Sequence, residues 1–326
     1  MLEGLDLRTM TGIEIGALTA PLVHRSEGDI IYVDHADTET LRRKYFSDAN
    51  VDVSRLVEVD AVWGANTLQQ AIGEGRKVDY VIASHVVEHV PDLLGWLSEI
   101  EAVLRPTGSL RLAVPDRRFT FDRLRRESRL SDILTARLFA ARAPLPAQIL
   151  DHVLEVVAID AKAVWRGEIG SAAALRRIHS LSDAIALAED ALRHGTYHDV
   201  HCWVFTPVSF ARLLGRAAGL RLHGFACAYF HDTEPGELEF QVALQPCADA
   251  EESAESWNRM AREVRRDVAE PVDAAARHRL AETEAETEAL RRRAYAAERD
   301  IAELRASTSW RMTSPLRGLV HTLRRH

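Results

Sequence analysis

Cysteine is scarce in this chain: Cys202, Cys227 and Cys247 are the three among 326 residues, and no CxxC pair occurs. A disulfide framework and a zinc knuckle are therefore excluded, and a reducing cytoplasm is the expected setting. A basic excess is missing too. The formal net charge is −8 and the pI about 6.0, whereas a polyphosphate partner calls for a concentrated basic footprint, so no nucleic acid is expected to bind. Lysine is nearly absent, three (Lys44, Lys77, Lys162) against 38 arginines, a skew that runs the whole length and carries no mechanism. No apolar run approaches the ~18 residues of a spanning helix, and the opening MLEGLDLRTM lacks the basic-then-apolar pattern of a secretion signal; the expectation is a protein neither integral nor exported by that route. The segment GIEIGALTAP has no GxGxxG, which disfavours a dinucleotide. Ala158, Gly73 and Thr40, not tyrosine, stand four residues before the lysines, which excludes the short-chain reductase and epimerase pattern. The nearest approach to a DxD glycosyltransferase motif is Glu58-Val59-Asp60.

What is present is a globular composition, 47% hydrophobic and 28% charged, enough for a real core. Up to about residue 115, short β-type runs (Gly12 to Ala17, Ile30 to Val33, Leu56 to Val59, Val78 to Ser84, Ser109 to Val114) alternate with helical spacing, as in Leu93, Leu94, Leu97, Ile100, Val103 and Leu104. That alternation predicts an α/β fold with a doubly wound, mostly parallel, Rossmann-like sheet. From about 117 to 205 the strand signal gives way to Arg- and Ala-rich text, read as a helical insertion. Thr206 as N-cap, Pro207 at the first helical position and Gly219 past the end frame the next helix. Leu222 to Phe230 and Leu238 to Leu244 then flank a Pro-Gly turn as an antiparallel hairpin at a sheet edge. The predicted globular domain is 1–248. Residues 249–306 read as a long charged helix or weak coiled coil, with 14 acidic and 11 basic side chains in 251–306, and a route to homo-oligomers. Residues 307–326, STSWRMTSPLRGLVHTLRRH, form a basic amphipathic tail with Arg311, Arg317, Arg324 and Arg325 and no acid.

Several residue patterns carry chemistry. Glu14 stands two before Gly16 at the first strand-to-helix turn, where doubly wound folds bind nucleotides. Asp34 closes the second strand, where a carboxylate can accept both hydroxyls of a ribose. His85, Glu88 and His89 share one helical face at i, i+3 and i+4 and could hold a divalent metal; the preferred reading is packing, with His89 hydrogen-bonded to the core and capped by Glu88. The cluster HGTYHDVHCW brings His194, His198, Asp199 and His201 to the end of the insertion, where the chain returns toward the carboxyl edge of the strands. A histidine near neutral pKa suits proton removal from a hydroxyl, so His201 or His198 is the expected base with Asp199 orienting it, and Asp116 competes for the role. Trp165, Trp203, Phe119 and Phe121 could stack on a sugar face, though isolated aromatics more often pack the core.

Over residues 5 to 245, GIEIGALTAPL, YVDHAD, VEVDAVWGANTL, DYVIASHVVEHVPD and LRPTGSLRLAVPD together resemble class I S-adenosylmethionine-dependent methyltransferases, in the branch found in bacterial cell-surface polysaccharide clusters. The resemblance implies that Glu14, Gly16 and Ala17 lie along the methionine moiety of S-adenosylmethionine and that Asp34 holds the ribose. It implies further that Asp60 to Gly64, Trp63 included, line the adenine and that Ser84 and His85 approach the methionine end. The family's usual second and third glycines are Leu18 and Ala20 here, where a Cβ crowds the approach glycine leaves open. The run VVEH is similar to the ExxEH metal run of ubiquinone-pathway O-methyltransferases, with His85 in place of the first Glu. The implied activity is methyl transfer to a sugar hydroxyl of a glycan or glycolipid acceptor; the alternative is a non-catalytic scaffold subunit of a polysaccharide assembly complex. STSWRMTSPLR resembles segments at the ends of glycosyltransferases and methyltransferases from the same kinds of cluster, which implies docking to a glycosyltransferase partner or to an anionic membrane surface on the cytoplasmic face.

Overall fold

The computed structural model describes residues 1–48, 51–64, 66–169 and 175–265. The chain divides into two units, Met1–Ala269 and Glu270–His326. The second lies outside the described residues, as do most of the predicted 249–306 helix and all of the 307–326 tail.

Seven strands form one sheet in the order β3-β2-β1-β4-β5-β7-β6. They are β1 (Thr11–Ile15), β2 (Asp29–Asp34), β3 (Ala61–Val62), β4 (Val78–Ser84), β5 (Leu104–Pro115), β6 (Phe225–His231) and β7 (Glu239–Pro246). The first five run parallel, and β7 inserts antiparallel between β5 and β6. This bears out the doubly wound sheet with its edge hairpin. One strand is displaced from its predicted place. Leu56 to Val59 is connecting chain, and β3 begins at Ala61, because the backbone N–H groups of Asp60 and Trp63, donating to Tyr32 and Asp34, set the register there.

Helices α1 (Thr38–Tyr45), α2 (Leu68–Ile72), α3 (Leu93–Val103), α4 (Leu130–Leu138), α5 (Pro146–Glu155), α6 (Ala161–Trp165), α7 (Leu181–His194), α8 (Pro207–Gly219) and α9 (Ala250–Glu263) complete the unit. Four of them, α4 to α7, occupy the predicted helical insertion. The start of α8 is as its sequence dictates, with the Thr206 hydroxyl capping Ser209 N–H and Pro207 at the first position.

Period-two alternation divides the sheet's side chains. Ile13, Ile15, Ile31, Val33, Val81 and Ala83 join a large core with α3, α4, α8 and α9, while Ile30, Tyr32, Tyr80 and Ile82 pack on the opposite face with Val23. The globular unit extends past the predicted boundary at 248. In α9, Trp257 and Met260 are fully buried, and the Trp257 indole N–H donates to Phe225 O at 2.9 Å. A Cβ on Gly215 would stand 2.9 Å from Trp257 Cβ, so the bare backbone of α8 is what lets α9 approach. Within the charged segment, Ala250–Glu263 is thus an amphipathic core helix rather than a solvated spacer.

Candidate active site

The carboxyl ends of β1, β2, β3 and β4 line one edge of the sheet, and the order of strands reverses between β1 and β4, where open α/β sheets bind ligands. Gly16 follows β1 with φ +69°, and a Cβ there would press against Val86 Cγ2 at 3.1 Å. Leu18 also adopts a left-handed φ, +46°. The backbone therefore makes at Leu18 the turn a glycine would make, at a cost of about 1 kcal/mol. Glu14 braces this loop from inside: its carboxylate accepts from Leu22 N–H at 2.7 Å and Val23 N–H at 3.1 Å, and burial raises its pKa. Glu14 thus shapes the loop rather than facing it. Ala17 packs beneath against the smaller core.

Asp34 is buried at the end of β2, with Oδ1 accepting from His35 N–H at 2.7 Å. Trp63 stacks on Trp96 at 6.3 Å, and its indole N–H donates to Glu99 Oε2 at 2.8 Å, so its ring is a wall of the edge. Asp60 departs from its expected adenine role. It precedes β3, accepts from Tyr32 N–H at 2.8 Å and pairs with Arg25 at 2.8 Å, which makes it a brace between β2 and β3. Ser84 ends β4, and His85 after it holds φ +51°. His85 Nε2 lies 2.5 Å from Glu239 Oε2; burial would lower its pKa, but the neighbouring carboxylates of Glu239 and Glu88 raise it to about 10. His85 thus places a cation at the strand end.

The segment from Gly195 to Trp203 returns across this edge as the sequence suggests. Tyr197 stacks on His35 at 6.3 Å, and the N–H groups of Cys202 and Trp203 donate to Glu88 O at 2.6 and 3.2 Å. His201 is therefore brought to the Val87–His89 turn.

Its orienting acid is not Asp199 but Asp122. Asp122 Oδ2 lies 2.5 Å from His201 Nδ1, and Oδ1 accepts from Arg125 Nη1 at 2.7 Å. Burial opposes the charge, yet His201 and Arg125 hold the Asp122 carboxyl at about 2. Arg125, itself fully buried, also donates to His201 O at 2.8 Å and to Asp151 Oδ2 at 2.8 Å. Asp199 instead lies 2.9 Å from His89 Nδ1 and 3.4 Å from Lys44 Nζ. His198 pairs with Asp190 at 2.8 Å, away from His201. Asp116 is fully buried, held by Arg118 at 2.6 Å and by the Thr233 hydroxyl at 2.9 Å, so it ties β5 to the β6–β7 loop and is no base. Glu88 departs from the packing reading: neither of its carboxylate oxygens has a hydrogen-bond partner among the described residues, although Glu88 is 1% exposed, while His89 is held through Nδ1 by Asp199.

Sequence reasoning missed Asp122, Arg125 and His152, whose Nδ1 accepts from His201 N–H at 3.2 Å, because they sit in an Arg-rich helical stretch with no spacing signal. Trp203 is core, its indole N–H donating to Val90 O, and Phe119 stacks on Trp165 at 4.1 Å. Phe121 alone of the four is both 37% exposed and beside His201, at 4.7 Å between ring centroids.

A glycine turn after β1, a buried acid closing β2 and a histidine paired with a buried carboxylate thus gather at the edge where open α/β sheets bind ligands. Residues 7–223 match the family model described as a methyltransferase domain, and the chain belongs to that family. No curated protein matches it. Among solved structures, it is similar to the CurJ carbon methyltransferase (14% identity, 76% of this chain and 51% of that one, TM-score 0.36). It is also similar to magnesium protoporphyrin IX methyltransferase ChlM from Synechocystis PCC 6803 with bound SAH (11%, 74% and 76%, TM-score 0.32) and to the mitomycin 7-O-methyltransferase MmcR (12%, 73% and 49%, TM-score 0.32). The chain spans about half the length of the CurJ and MmcR chains.

Proposed function

We propose that this chain transfers the methyl group of S-adenosylmethionine to a hydroxyl of a surface glycan or its precursor. The residues present fit the cofactor. Gly16 and Leu18 turn the β1 loop through left-handed backbone, Glu14 secures that loop from below, and Asp34 offers a buried carboxylate where the ribose hydroxyls would lie. The cofactor supplies an electrophilic methyl carbon on a sulfonium sulfur. Trp63 and Gly64 bound the adenine end, and Ser84 and His85 the methionine end.

The observation that carries the reading is the Asp122–His201 pair. A buried carboxylate on Nδ1 fixes the imidazole so that Nε2 is the nitrogen facing the acceptor side, beside Glu88 and His89. There the acceptor hydroxyl is activated, with positioning supplying much of the rate. The half-exposed Phe121 ring beside His201 offers an apolar face to a sugar. The resemblance of the five sequence motifs to polysaccharide-cluster methyltransferases supports the glycan assignment. Family membership and this assembled pair favour catalysis over a scaffold role. On this reading the C-terminal tail docks the enzyme to a glycosyltransferase or to the anionic inner face of the membrane; among the described residues no helix is long and apolar enough to cross a membrane. The test is transfer of labelled methyl from S-adenosylmethionine to a panel of lipid-linked or free glycans. Incorporation that Asp122→Asn abolishes supports the reading, and incorporation into protein or nucleic acid but not glycan overturns it.

A further inference from the structure

We propose that Glu88, His89 and His201 form a binding site for one divalent transition-metal ion, zinc being the best match to two imidazoles and a carboxylate. Their ligand atoms all lie within 4.8 Å of one another. Metal–nitrogen distances of about 2.0 Å put tetrahedral ligands about 3.3 Å apart, so modest side-chain rotation closes the site.

Three independent features point to a cation. Glu88 is 1% exposed, yet neither of its carboxylate oxygens accepts a hydrogen bond among the described residues. Burying an ionised carboxylate without partners costs several kcal/mol, a debt that a cation settles. The nearest opposing groups, His85 Nδ1 at 3.5 Å and His89 Nε2 at 4.0 Å, reach Glu88 Oε1 only at ion-pair distance and make no hydrogen bond to it. Second, both histidines carry an acid on the same ring nitrogen: Asp122 lies 2.5 Å from His201 Nδ1, and Asp199 lies 2.9 Å from His89 Nδ1. A carboxylate behind Nδ1 leaves the Nε2 lone pair free and aimed forward, the arrangement that holds imidazole ligands in metal sites. Third, the two halves of the site are joined by backbone. Glu88 O accepts from Cys202 and Trp203, so the turn bearing Glu88 and His89 is bonded to the segment bearing His201. The nitrogen-rich set suits zinc, cobalt or iron(II) and disfavours magnesium and calcium, which prefer all-oxygen shells.

The ion's role, though not its binding, rests on the methyl-transfer reading. The acceptor hydroxyl oxygen would occupy the open position and lose its proton to water more easily. The new carbon–oxygen bond then forms as the sulfur–carbon bond breaks, giving the methyl ether and S-adenosylhomocysteine with no change of oxidation state.

Metal-stripped full-length protein titrated with cobalt(II) tests the site. One equivalent should bind with visible d–d absorption, and zinc should displace it. Glu88→Gln and His89→Asn should each weaken cobalt affinity tenfold or more, and Asp122→Asn, which acts through His201, by 10- to 100-fold. His198→Ala, outside the cluster, should change nothing. A circular dichroism spectrum like wild type establishes that each variant is folded. No cobalt absorption, or affinity unaltered in both Glu88→Gln and His89→Asn, overturns the proposal. S-adenosylhomocysteine titration of the same metal-free protein decides the cofactor reading separately.

Discussion

Asp122 and His201, 79 residues apart in sequence, meet at 2.5 Å between carboxylate and Nδ1. This contact fixes the imidazole of the histidine in the HGTYHDVHCW run that packs against His89, at 4.7 Å between ring centroids. Asp122→Asn keeps the shape but loses the charge. It should lower turnover by about 100-fold or more while S-adenosylhomocysteine affinity changes by less than twofold, because the pair acts on the acceptor and not on the nucleoside. Steady-state rates and calorimetry on the same preparation check this.

Gly16 should tolerate no side chain. Alanine there meets both a left-handed φ of +69° and Val86 at 3.1 Å. The backbone penalty alone is about 1–2 kcal/mol, and the displaced loop should cost cofactor affinity tenfold or more. Leu18→Gly, at a position already in the left-handed region, should bind S-adenosylhomocysteine at least as tightly as wild type, as read by titration.

Trp257 anchors α9 on Phe210 and Phe225, so truncation has a sharp boundary. A chain ending at Arg265 should keep its melting temperature and cofactor binding but lose flotation with anionic liposomes. One ending at Pro246 should be severely destabilised. Trp257→Ala in the full chain should cost about 3–5 kcal/mol in denaturant unfolding.

His223 makes the fold acid-sensitive. Burial lowers its pKa below 6.5, and its Nδ1 accepts Phe225 N–H while Nε2 donates to Leu214 O, so protonating Nδ1 breaks a buried bond. The contribution of this neutral histidine is complete above the unfolded-state pKa and is lost as pH falls below it. The melting temperature should therefore fall more steeply from pH 6.5 to 5 in wild type than in His223→Asn.

The strands, the Thr206-Pro207 helix start and the edge hairpin were legible because each follows from local periodicity and capping. The position of β3 was not, since two apolar residues held by register bonds to β2 leave no periodic trace. Glu14, Gly16 and Asp34 were legible as a pattern at strand ends. The partners of His201 were not: Asp122 and Arg125 reach it through the fold of the insertion, and buried arginines do not stand out in a chain with 38 of them. Asp116 looked functional because it follows a strand end, but its full burial against Arg118 makes it structural.

Calorimetric titration of the purified chain with S-adenosylhomocysteine decides whether this edge holds the cofactor that methyl transfer requires. One site of micromolar affinity is expected, weakened tenfold or more by Asp34→Ala, which strands the ribose hydroxyls. A folded wild-type protein that gives no heat and no thermal shift would contradict it.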